Sequence, residues 1–210
     1  MNWHDVEQNS EEWIEMRGGL ITGSKLGTVM ANYGKAFSDT AKKYAVNIAI
    51  EQITGKAISS GYSNAHMERG HEQEPIARML YEQERFCDVT NGGFFENGEV
   101  GLSLDGLVGD DGAIEIKSVI ASTHYATIKR QKVDPAYKWQ VFGNLMLSAR
   151  DWIDFVSYCA DFPEDKQLFT HRTNRGDCAA EFDMIDIRIK EFLLLIIDTK
   201  QIILESNYSI

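Results

Sequence analysis

Three residues of complementary chemistry lie close together near the middle of the chain. Asp105 precedes a turn-forming Asp-Asp-Gly stretch at 110–112, and Glu115 and Lys117 follow it at alternate positions. Residues two apart on a β-strand point to the same face of a sheet. Two carboxylates and the backbone carbonyl of Ile116 are oxygen ligands suited to a hard cation such as Mg²⁺. An ammonium beside them orients a water molecule or stabilises negative charge.

A β-hairpin around this turn would bring the three charged side chains together. A three-residue loop at 110–112, with Gly112 in the left-handed conformation, is a common connection. It pairs Gly109 with Ala113 and places Asp105 opposite Lys117 on one face. A two-residue loop would move Asp105 to the other face. The alternative interpretation is a surface hairpin whose cross-strand ion pair contributes only ~0–1 kcal/mol.

Hydrophobic periodicity and turn residues predict the elements that position these groups. Ser38 is expected to cap a helix that ends before Gly55, and Pro75 to kink or divide the next helix. Pro135 is expected to open a helix before a central strand that is apolar on both faces. The predicted helices cover about 11–16, 38–54, 64–85, 121–132, 135–149 and 181–206, and the predicted strands about 87–90, 93–96, 101–108, 113–119, 152–159 and 167–171. The sequence therefore predicts a single α/β or α+β domain over residues 1–210.

Composition excludes several classes of protein. The 210 residues are 43% hydrophobic and 25% charged, with only three prolines, which is typical of a globular chain rather than a disordered or fibrous one. The longest apolar run, 192–197, is far shorter than the roughly 20 residues that span a bilayer, so no membrane association is expected. The N-terminus lacks the features of a signal peptide, and three cysteines without metal-ligand spacing fit a reducing cytoplasm.

The charge is unevenly distributed along the chain. The net charge of −11 argues against a simple nucleic-acid coat protein, because such proteins use a basic surface. Residues 64–116 carry three Lys/Arg against twelve Asp/Glu, whereas residues 117–150 carry six against one. An acidic block followed by a basic one is either chance patchiness or a divalent-metal site beside a phosphate-binding wall.

Several ordered motifs resemble one enzyme family. Asp105 followed by Glu115-Ile116-Lys117 is similar to the Asp…(Asp/Glu)-x-Lys signature of the restriction-endonuclease-like nuclease superfamily. Further segments between about residues 11 and 145 resemble the phage lambda exonuclease family, which contains the viral recombination (alkaline) exonucleases. Leu104 departs from the family pattern, since many members have proline there. The matching segments are Trp13-x-x-x-Arg17, Ile21-Thr22-Gly23-Ser24, Gly70-x-x-x-Glu74-Pro75-x-Ala77-x-x-x-Tyr81, Ser103-Leu104-Asp105-Gly106-Leu107 and Tyr137-x-x-Gln140.

The resemblance implies a fold, an activity and partners. The expected fold is one restriction-endonuclease-like domain with a central mixed β-sheet flanked by helices. The expected activity is Mg²⁺-dependent 5′-to-3′ exonuclease action on linear double-stranded DNA ends, which releases mononucleotides and leaves a 3′ single-stranded tail for recombination by strand annealing. The resemblance also implies two Mg²⁺ ions, for which Mn²⁺ would substitute. It further implies a homotrimer and a single-strand annealing protein as partner. Such a phage or prophage protein would work in the bacterial host cytoplasm.

The resemblance also assigns roles at the metal end of the site. Asp105, Glu115 and the Ile116 carbonyl would bind metal, and Lys117 would assist the attacking water. Glu74 would support the site or bind a second metal, rather than being a solvated helix acid. Gln140 would point its amide toward the water or the scissile phosphate, the competing interpretation being an ordinary polar residue of an amphipathic helix.

The resemblance also assigns a pocket that binds phosphate. Arg17, Ser24 and Ser103 match positions that hold the 5′-terminal phosphate, and a guanidinium with hydroxyls suits that ligand. Without the resemblance, Arg17 would be a helix-end cation and Ser24 a helix cap. A group of basic residues is expected to contact the DNA backbone: Lys129, Arg130, Lys132 and Lys138.

Two other functions remain open at this point. The same core could serve a structure-specific or restriction-type endonuclease. Outside enzymes, the chain could be a non-catalytic DNA-end-binding recombination subunit whose acidic residues only balance charge.

Overall fold

A five-stranded mixed sheet forms the centre of the fold. The computed structural model describes residues 1–58 and 65–206, with the side chains of residues 65–68 left out, so the predicted helix start at 64 lies outside the described residues. The strand order is β3-β6-β7-β8-β9, and only the β7–β8 pair is parallel. The strands are β3 (Val89–Thr90), β6 (Gly106–Val108), β7 (Gly112–Ser118), β8 (Trp152–Tyr158) and β9 (Leu168–Asn174).

A smaller four-stranded sheet lies beside the first. Its order is β1-β4-β5-β2, with β2 parallel to β5 and the other pairs antiparallel. The strands are β1 (Asn2–His4), β2 (Ile21–Thr22), β4 (Phe94–Asn97) and β5 (Val100–Ser103). The mixed α/β class predicted from the sequence is confirmed, with the strands divided between two sheets.

Seven helices surround these sheets in the described part of the chain. Their bounds are α1 (Glu11–Arg17), α2 (Leu26–Met30), α3 (Asp39–Thr54), α4 (Ala65–Arg85), α5 (Ala121–Arg130), α6 (Lys138–Ser148) and α7 (Ala179–Glu205). α5 and α6 form the crossover that joins parallel strands β7 and β8, as such pairs require. Within the described residues, no helix is long and apolar enough to span a membrane.

Local sequence explains where the helices begin and end. The Ser38 side chain accepts the Ala41 N–H at 3.2 Å at the start of α3, and Gly55 ends that helix at φ +65°. Helix α4 runs through Pro75 without division. The predicted start of α6 was wrong, because Pro135 lies in a preceding turn. The Asp134 carboxylate accepts the Ala136 N–H at 2.9 Å, and helical residues begin at Lys138.

Sheet β3-β6-β7-β8-β9 is covered on both faces where β7 crosses it. Ile114 and Ile116 pack with Ala77 and Tyr81 of α4 on one face. Ala113 on the opposite face belongs to the larger core, which includes residues of α3, α6 and α7. Because side chains alternate along a strand, Glu115 lies on the same face as Ala113. The hairpin therefore has no open face there, unlike the surface hairpin considered from the sequence.

The register of the β6–β7 hairpin differs from the predicted one by two residues. Leu107 pairs with Ala113 and Val108 with Gly112, so the loop is 109–111 and Gly109 is its left-handed residue at φ +57°. The observed pairs end with Gly106 opposite Ile114, so the predicted pair of Asp105 with Lys117 does not form. A shift of two leaves every side chain on its predicted face, because the strand repeat is two.

The predicted strand over 101–108 is two strands in different sheets. β5 ends at Ser103, and β6 begins at Gly106. Leu104 is fully buried between them, and Asp105 lies in a bend at the junction of the two sheets. This change of sheet sets Asp105 at the rim of a cleft instead of within a regular ladder.

Candidate functional site

One cleft of about 630 Å³ collects nearly all the residues singled out from the sequence. It lies where the two sheets meet and is also lined by α4 and by the starts of α5 and α6. The predicted site residues that line it are Arg17, Ser24, Glu74, Ser103, Asp105, Ile116, Lys117 and Gln140. Glu115 is fully buried beneath its floor.

Asp105 is fixed by contacts to both its backbone and its carboxylate. Its Oδ2 accepts the Ile116 N–H at 2.6 Å, and its carbonyl oxygen accepts a hydrogen bond from Arg78 Nη2. Arg78 also lies 3.7 Å from Glu74 Oε1 and so links α4 to the bend. An extended residue directs its N–H and C=O to the same side. The Ile116 carbonyl therefore faces the side on which Asp105 lies.

Glu115 receives hydrogen bonds from three side chains. Oε1 accepts from Lys117 Nζ and, at 2.5 Å, from Gln140 Nε2. Oε2 accepts from Asn144 Nδ2 at 2.7 Å. Gln140 and Asn144 are one turn apart on α6, so this helix presents two amides to one carboxylate. A carboxylate with three donors is one whose buried negative charge is stabilised.

The carboxylates of the cleft destabilise one another's charged forms. Burial, together with the charge of Asp105, raises the pKa of Glu115 to about 8. The same two causes raise the pKa of Glu74 to about 7. Burial alone would lower the pKa of Lys117, but the charges of Glu115 and Asp105 outweigh it and raise that pKa above its ordinary value. Negative charge is therefore in excess at this end of the cleft.

The donor set fits a hard divalent cation better than a softer metal. Within residues 1–58 and 65–206, no three His, Cys, Asp or Glu side chains come together as a complete metal cage. Asp105, Glu115 and the Ile116 carbonyl offer oxygen atoms only, and the cleft has room for water. Mg²⁺ ordinarily binds proteins through one or two carboxylates and keeps several waters. A cation there would also offset the burial and the repulsion that raise the pKa values of Glu74 and Glu115.

The opposite end of the cleft carries a cation and hydroxyl groups. The Arg17 guanidinium lies 3.8 Å from the centre of the Trp13 ring, one turn earlier on α1. Trp13 Nε1 donates to Ser103 Oγ at 2.7 Å, which joins α1 to the end of β5. Burial lowers the pKa of Arg17, although a guanidinium stays charged at neutral pH. Stacking holds Arg17 in place and leaves its N–H edge available to an anion.

Ser24 is exposed in the 3-10 turn Gly23–Lys25 that precedes α2. Gly23 beside it is buried, and a Cβ built there would lie 2.5 Å from Asn144 Oδ1 and 3.2 Å from Leu102 Cβ. Only glycine allows this close approach of the turn to α6. The turn that carries Ser24 is therefore packed directly against the helix that contacts Glu115.

Three functional contacts were not predicted from the sequence. Asn144 donates a hydrogen bond to Glu115, and Arg78 donates one to the Asp105 carbonyl. The Tyr137 ring centre lies 5.5 Å from Lys117 Nζ, within range of a cation–π contact. The spacing of Gln140 and Asn144, four residues apart on one helix, is the signal that could have indicated Asn144. Arg78 stands four residues after Glu74, which is an ion-pair spacing.

Comparison with known proteins gives consistent matches over this region. Residues 12–151 match the YqaJ-like viral recombinase domain. The chain is similar to an alkaline exonuclease (LHK-Exo) from Laribacter hongkongensis, with 34% identity and a TM-score of 0.76 over 91% of this chain and 97% of that one. A complex of LHK-Exo with dAMP matches at 35% identity, a TM-score of 0.77 and the same coverage.

A more distant match extends the likeness in fold. A phage-related exonuclease from Haemophilus somnus 129PT shares 20% identity, with a TM-score of 0.69 over 90% of this chain and 96% of that one. No curated protein sequence matches the chain.

Proposed function

The chain belongs to the YqaJ-like viral recombinase domain family, and from that premise we propose that it is a DNA exonuclease. The proposed reaction is Mg²⁺-dependent hydrolysis of linear double-stranded DNA from the 5′ end toward the 3′ end. It releases mononucleotides and leaves a 3′ single-stranded overhang for recombination by strand annealing. The similarity to LHK-Exo, an alkaline exonuclease, supports the activity, and the complex of LHK-Exo with dAMP supports a mononucleotide as the product.

The observation that carries this proposal is that one cleft joins two chemically different ends. A guanidinium and hydroxyls stand at one end, and carboxylates with a lysine stand at the other. An exonuclease that begins at a phosphorylated 5′ terminus needs both, because it must hold the terminal phosphate while it hydrolyses a phosphodiester further along the strand. Groups that only balance charge would not need to share a cleft with an anion-binding end.

At the hydrolytic end, the residues divide the work by their contacts. Asp105, Glu115 and the Ile116 carbonyl would hold Mg²⁺, with Glu74 near enough to Asp105 to support it or a second ion, and Mn²⁺ as a substitute. When bound, the cation polarises a phosphoryl oxygen and lowers the pKa of bound water. Lys117, kept protonated by the carboxylates around it, orients the attacking water or stabilises developing negative charge. Gln140 lines the cleft while its amide nitrogen restrains Glu115.

At the anion-binding end, Arg17, Ser24 and Ser103 would hold the 5′-terminal phosphate. Arg17 supplies charge-assisted hydrogen bonds, and the Trp13 ring keeps its plane fixed. Ser103 already accepts a hydrogen bond from Trp13, so its own hydroxyl proton is free to point to a phosphate oxygen.

The assembly around the site is also proposed. We propose a single nuclease domain over residues 1–210, a homotrimer that encircles duplex DNA, and a single-strand annealing protein as partner. The proposed location is the bacterial host cytoplasm, where a phage or prophage protein would act. The match to LHK-Exo over 91% of the chain supports the single domain.

The test compares three forms of the same duplex. Linear DNA with 5′-phosphate ends, linear DNA with 5′-hydroxyl ends, and closed circular DNA are each incubated with Mg²⁺, with and without a chelator. The proposal expects mononucleotides from the phosphorylated linear DNA, slower release from the hydroxyl form, and none from circles or with chelator. Cleavage of circles would indicate an endonuclease, and binding of ends without any hydrolysis would indicate a non-catalytic subunit.

A further inference from the structure

Asn144 connects the two ends of the cleft through buried contacts. It is fully buried on α6, and its Nδ2 donates to Glu115 Oε2 at 2.7 Å. Its Oδ1 is buried against Gly23, the residue before Ser24, and has no hydrogen-bond partner among the described residues. One short side chain thus lies between the proposed metal carboxylate and the proposed phosphate-binding turn.

The contacts of Asn144 are directional. Reversing its amide would set the carbonyl oxygen against the Glu115 carboxylate, an unfavourable contact between two acceptors. The observed orientation satisfies Glu115 and leaves the Asn144 carbonyl without a partner, which is costly in a buried site. The bond to Glu115 Oε2 is therefore the polar contact that accounts for an asparagine at this buried position.

Glu115 needs such a restraint because its other partners share a single oxygen. Lys117 and Gln140 both donate to Oε1, whereas Asn144 is the donor to Oε2. Without it, Oε2 would have no donor among the described residues, and the contacts to Oε1 alone would restrain the carboxylate plane. Groups that orient metal ligands typically change metal affinity or activity 10–100-fold when they are removed.

We infer that Asn144 is a positioning residue that fixes the Glu115 carboxylate for Mg²⁺ and, through its close packing on Gly23, couples the metal site to the turn that carries Ser24. This inference rests on the proposed function, because it assumes that the cleft binds Mg²⁺. It adds a residue outside the motifs that identified the site.

The primary test measures Mg²⁺ binding by calorimetry without DNA, together with the Mg²⁺ concentration that half-saturates hydrolysis. Asn144→Ala is expected to weaken both about 10-fold or more, and excess Mg²⁺ is expected to restore kcat. Asn144→Leu keeps the number and branching of the side-chain heavy atoms and removes the donor. It is expected to fold with a cooperative melting transition yet weaken Mg²⁺ binding to the same extent, and excess Mg²⁺ is expected to restore its kcat, which a purely structural role would not produce.

Ser148→Ala is the matched control, one turn later on α6. Ser148 is buried, and its hydroxyl bonds only to backbone atoms, so this variant is expected to bind Mg²⁺ as the wild type does. Folded Asn144→Ala or Asn144→Leu protein with wild-type Mg²⁺ affinity would overturn the inference. Failure of the wild type itself to bind Mg²⁺ would instead overturn the proposed function.

A second variant tests the coupling to the turn. Gly23→Ala adds a methyl group that presses on Asn144 Oδ1, and it is expected to weaken Mg²⁺ binding although it removes no polar group. In the Asn144→Ala background, the same change is expected to add little, because the contact is already lost. Additive effects of the two substitutions on Mg²⁺ affinity would contradict the coupling.

Discussion

Arg17 is the residue on which recognition of the DNA terminus depends in this account. Its guanidinium is stacked on Trp13, and among the described residues the other basic side chains that line the cleft are Arg69 and Lys117. A phosphate held by this group gains charge-assisted hydrogen bonds that a 5′-hydroxyl cannot make. The preference for phosphorylated ends therefore measures what Arg17 contributes.

Arg17→Ala is expected to reduce the preference in kcat/KM for 5′-phosphate over 5′-hydroxyl ends by roughly 10- to 100-fold, since hydrogen bonds to charged groups are worth about 1.5–3 kcal/mol. Arg17→Lys keeps the charge but loses the planar, stacked geometry, so it should restore only part of the preference. The measurement is initial hydrolysis rates on the two kinds of end. An unchanged preference in Arg17→Ala would remove this residue from the phosphate pocket.

The raised pKa values of Glu74 and Glu115 predict that the stability of the metal-free protein depends on pH. Both carboxyl groups have pKa values raised above their ordinary value, Glu74 to about 7 and Glu115 to about 8. The folded chain therefore binds more protons than the unfolded chain between about pH 4.5 and 8, and stability falls as pH rises through that window. The raised pKa of Lys117 has no effect there, because this group stays protonated in both states.

We expect the melting temperature of metal-free protein to fall from pH 5 to pH 8, and Mg²⁺ to restore it most strongly at pH 8, where the carboxylates are ionised. Calorimetric melting curves with and without Mg²⁺ check this expectation. Glu115→Gln is the control, and its melting temperature should change less over the same pH range. A wild-type melting temperature that rises steadily from pH 5 to pH 8 would contradict the charge repulsion described here.

At the scale of elements, α5 connects the cleft to a basic surface. Ile120 and Thr123 at its start line the cleft, whereas Lys129 and Arg130 lie in its last turn, roughly 12 Å further along the axis. Lys132 follows, and its charge adds to burial in lowering the pKa of His171. Lys138, by contrast, is 3.7 Å from Glu181 and is less available to DNA.

Removing Lys129, Arg130 and Lys132 together should weaken binding to DNA ends and reduce its salt dependence. Each lost phosphate contact lowers the slope of log K against log salt by about 0.9. Affinity measured at several salt concentrations checks this. The matched control is a triple alanine variant of Lys42, Lys166 and Lys190, three surface lysines with acidic partners. Equal slopes for the two triple variants would show that the end of α5 does not contact DNA.

The sequence predicted the β6–β7 hairpin better than it predicted the contacts around that hairpin. A register error of two residues left the strand residues on their predicted faces because the strand repeat is two, and the Asp105 carboxylate still reaches the Ile116 N–H. The contacts of Asn144 depend on how α6 packs across β7, and no local pattern specifies that packing. The break at Leu104 was also missed, because a change of sheet is decided by which neighbouring strands pair, not by residue propensity.

Across the whole molecule, the position of the acidic residues explains how an acidic protein would act on DNA, which is itself negatively charged. The net charge is −11, but the acidic residues of the cleft are those proposed to hold cations. The C-terminal helix α7 buries Ile185, Ile189 and Phe192 in the core. Several apolar side chains on its remaining surface are exposed, including Leu194 and Ile197.

A ring-shaped homotrimer would make digestion processive because the chain would not leave the DNA between steps. Light scattering on the purified protein is expected to give three times the 23.8 kDa mass of one chain. When DNA is in excess over the enzyme, digestion should then leave some DNA molecules fully resected while others remain intact. A monomer at concentrations that support such processive digestion would contradict the ring.

The direction of digestion is tested by a radioactive label at either the 5′ or the 3′ end of one strand in linear duplex DNA. With Mg²⁺, the 5′-terminal label is predicted to appear at once as a mononucleotide, and the 3′-terminal label to stay in long products. Lys117→Ala should bind the same ends but release the label at least about 100-fold more slowly. Early release of the 3′ label, or undiminished hydrolysis by Lys117→Ala, would contradict the account.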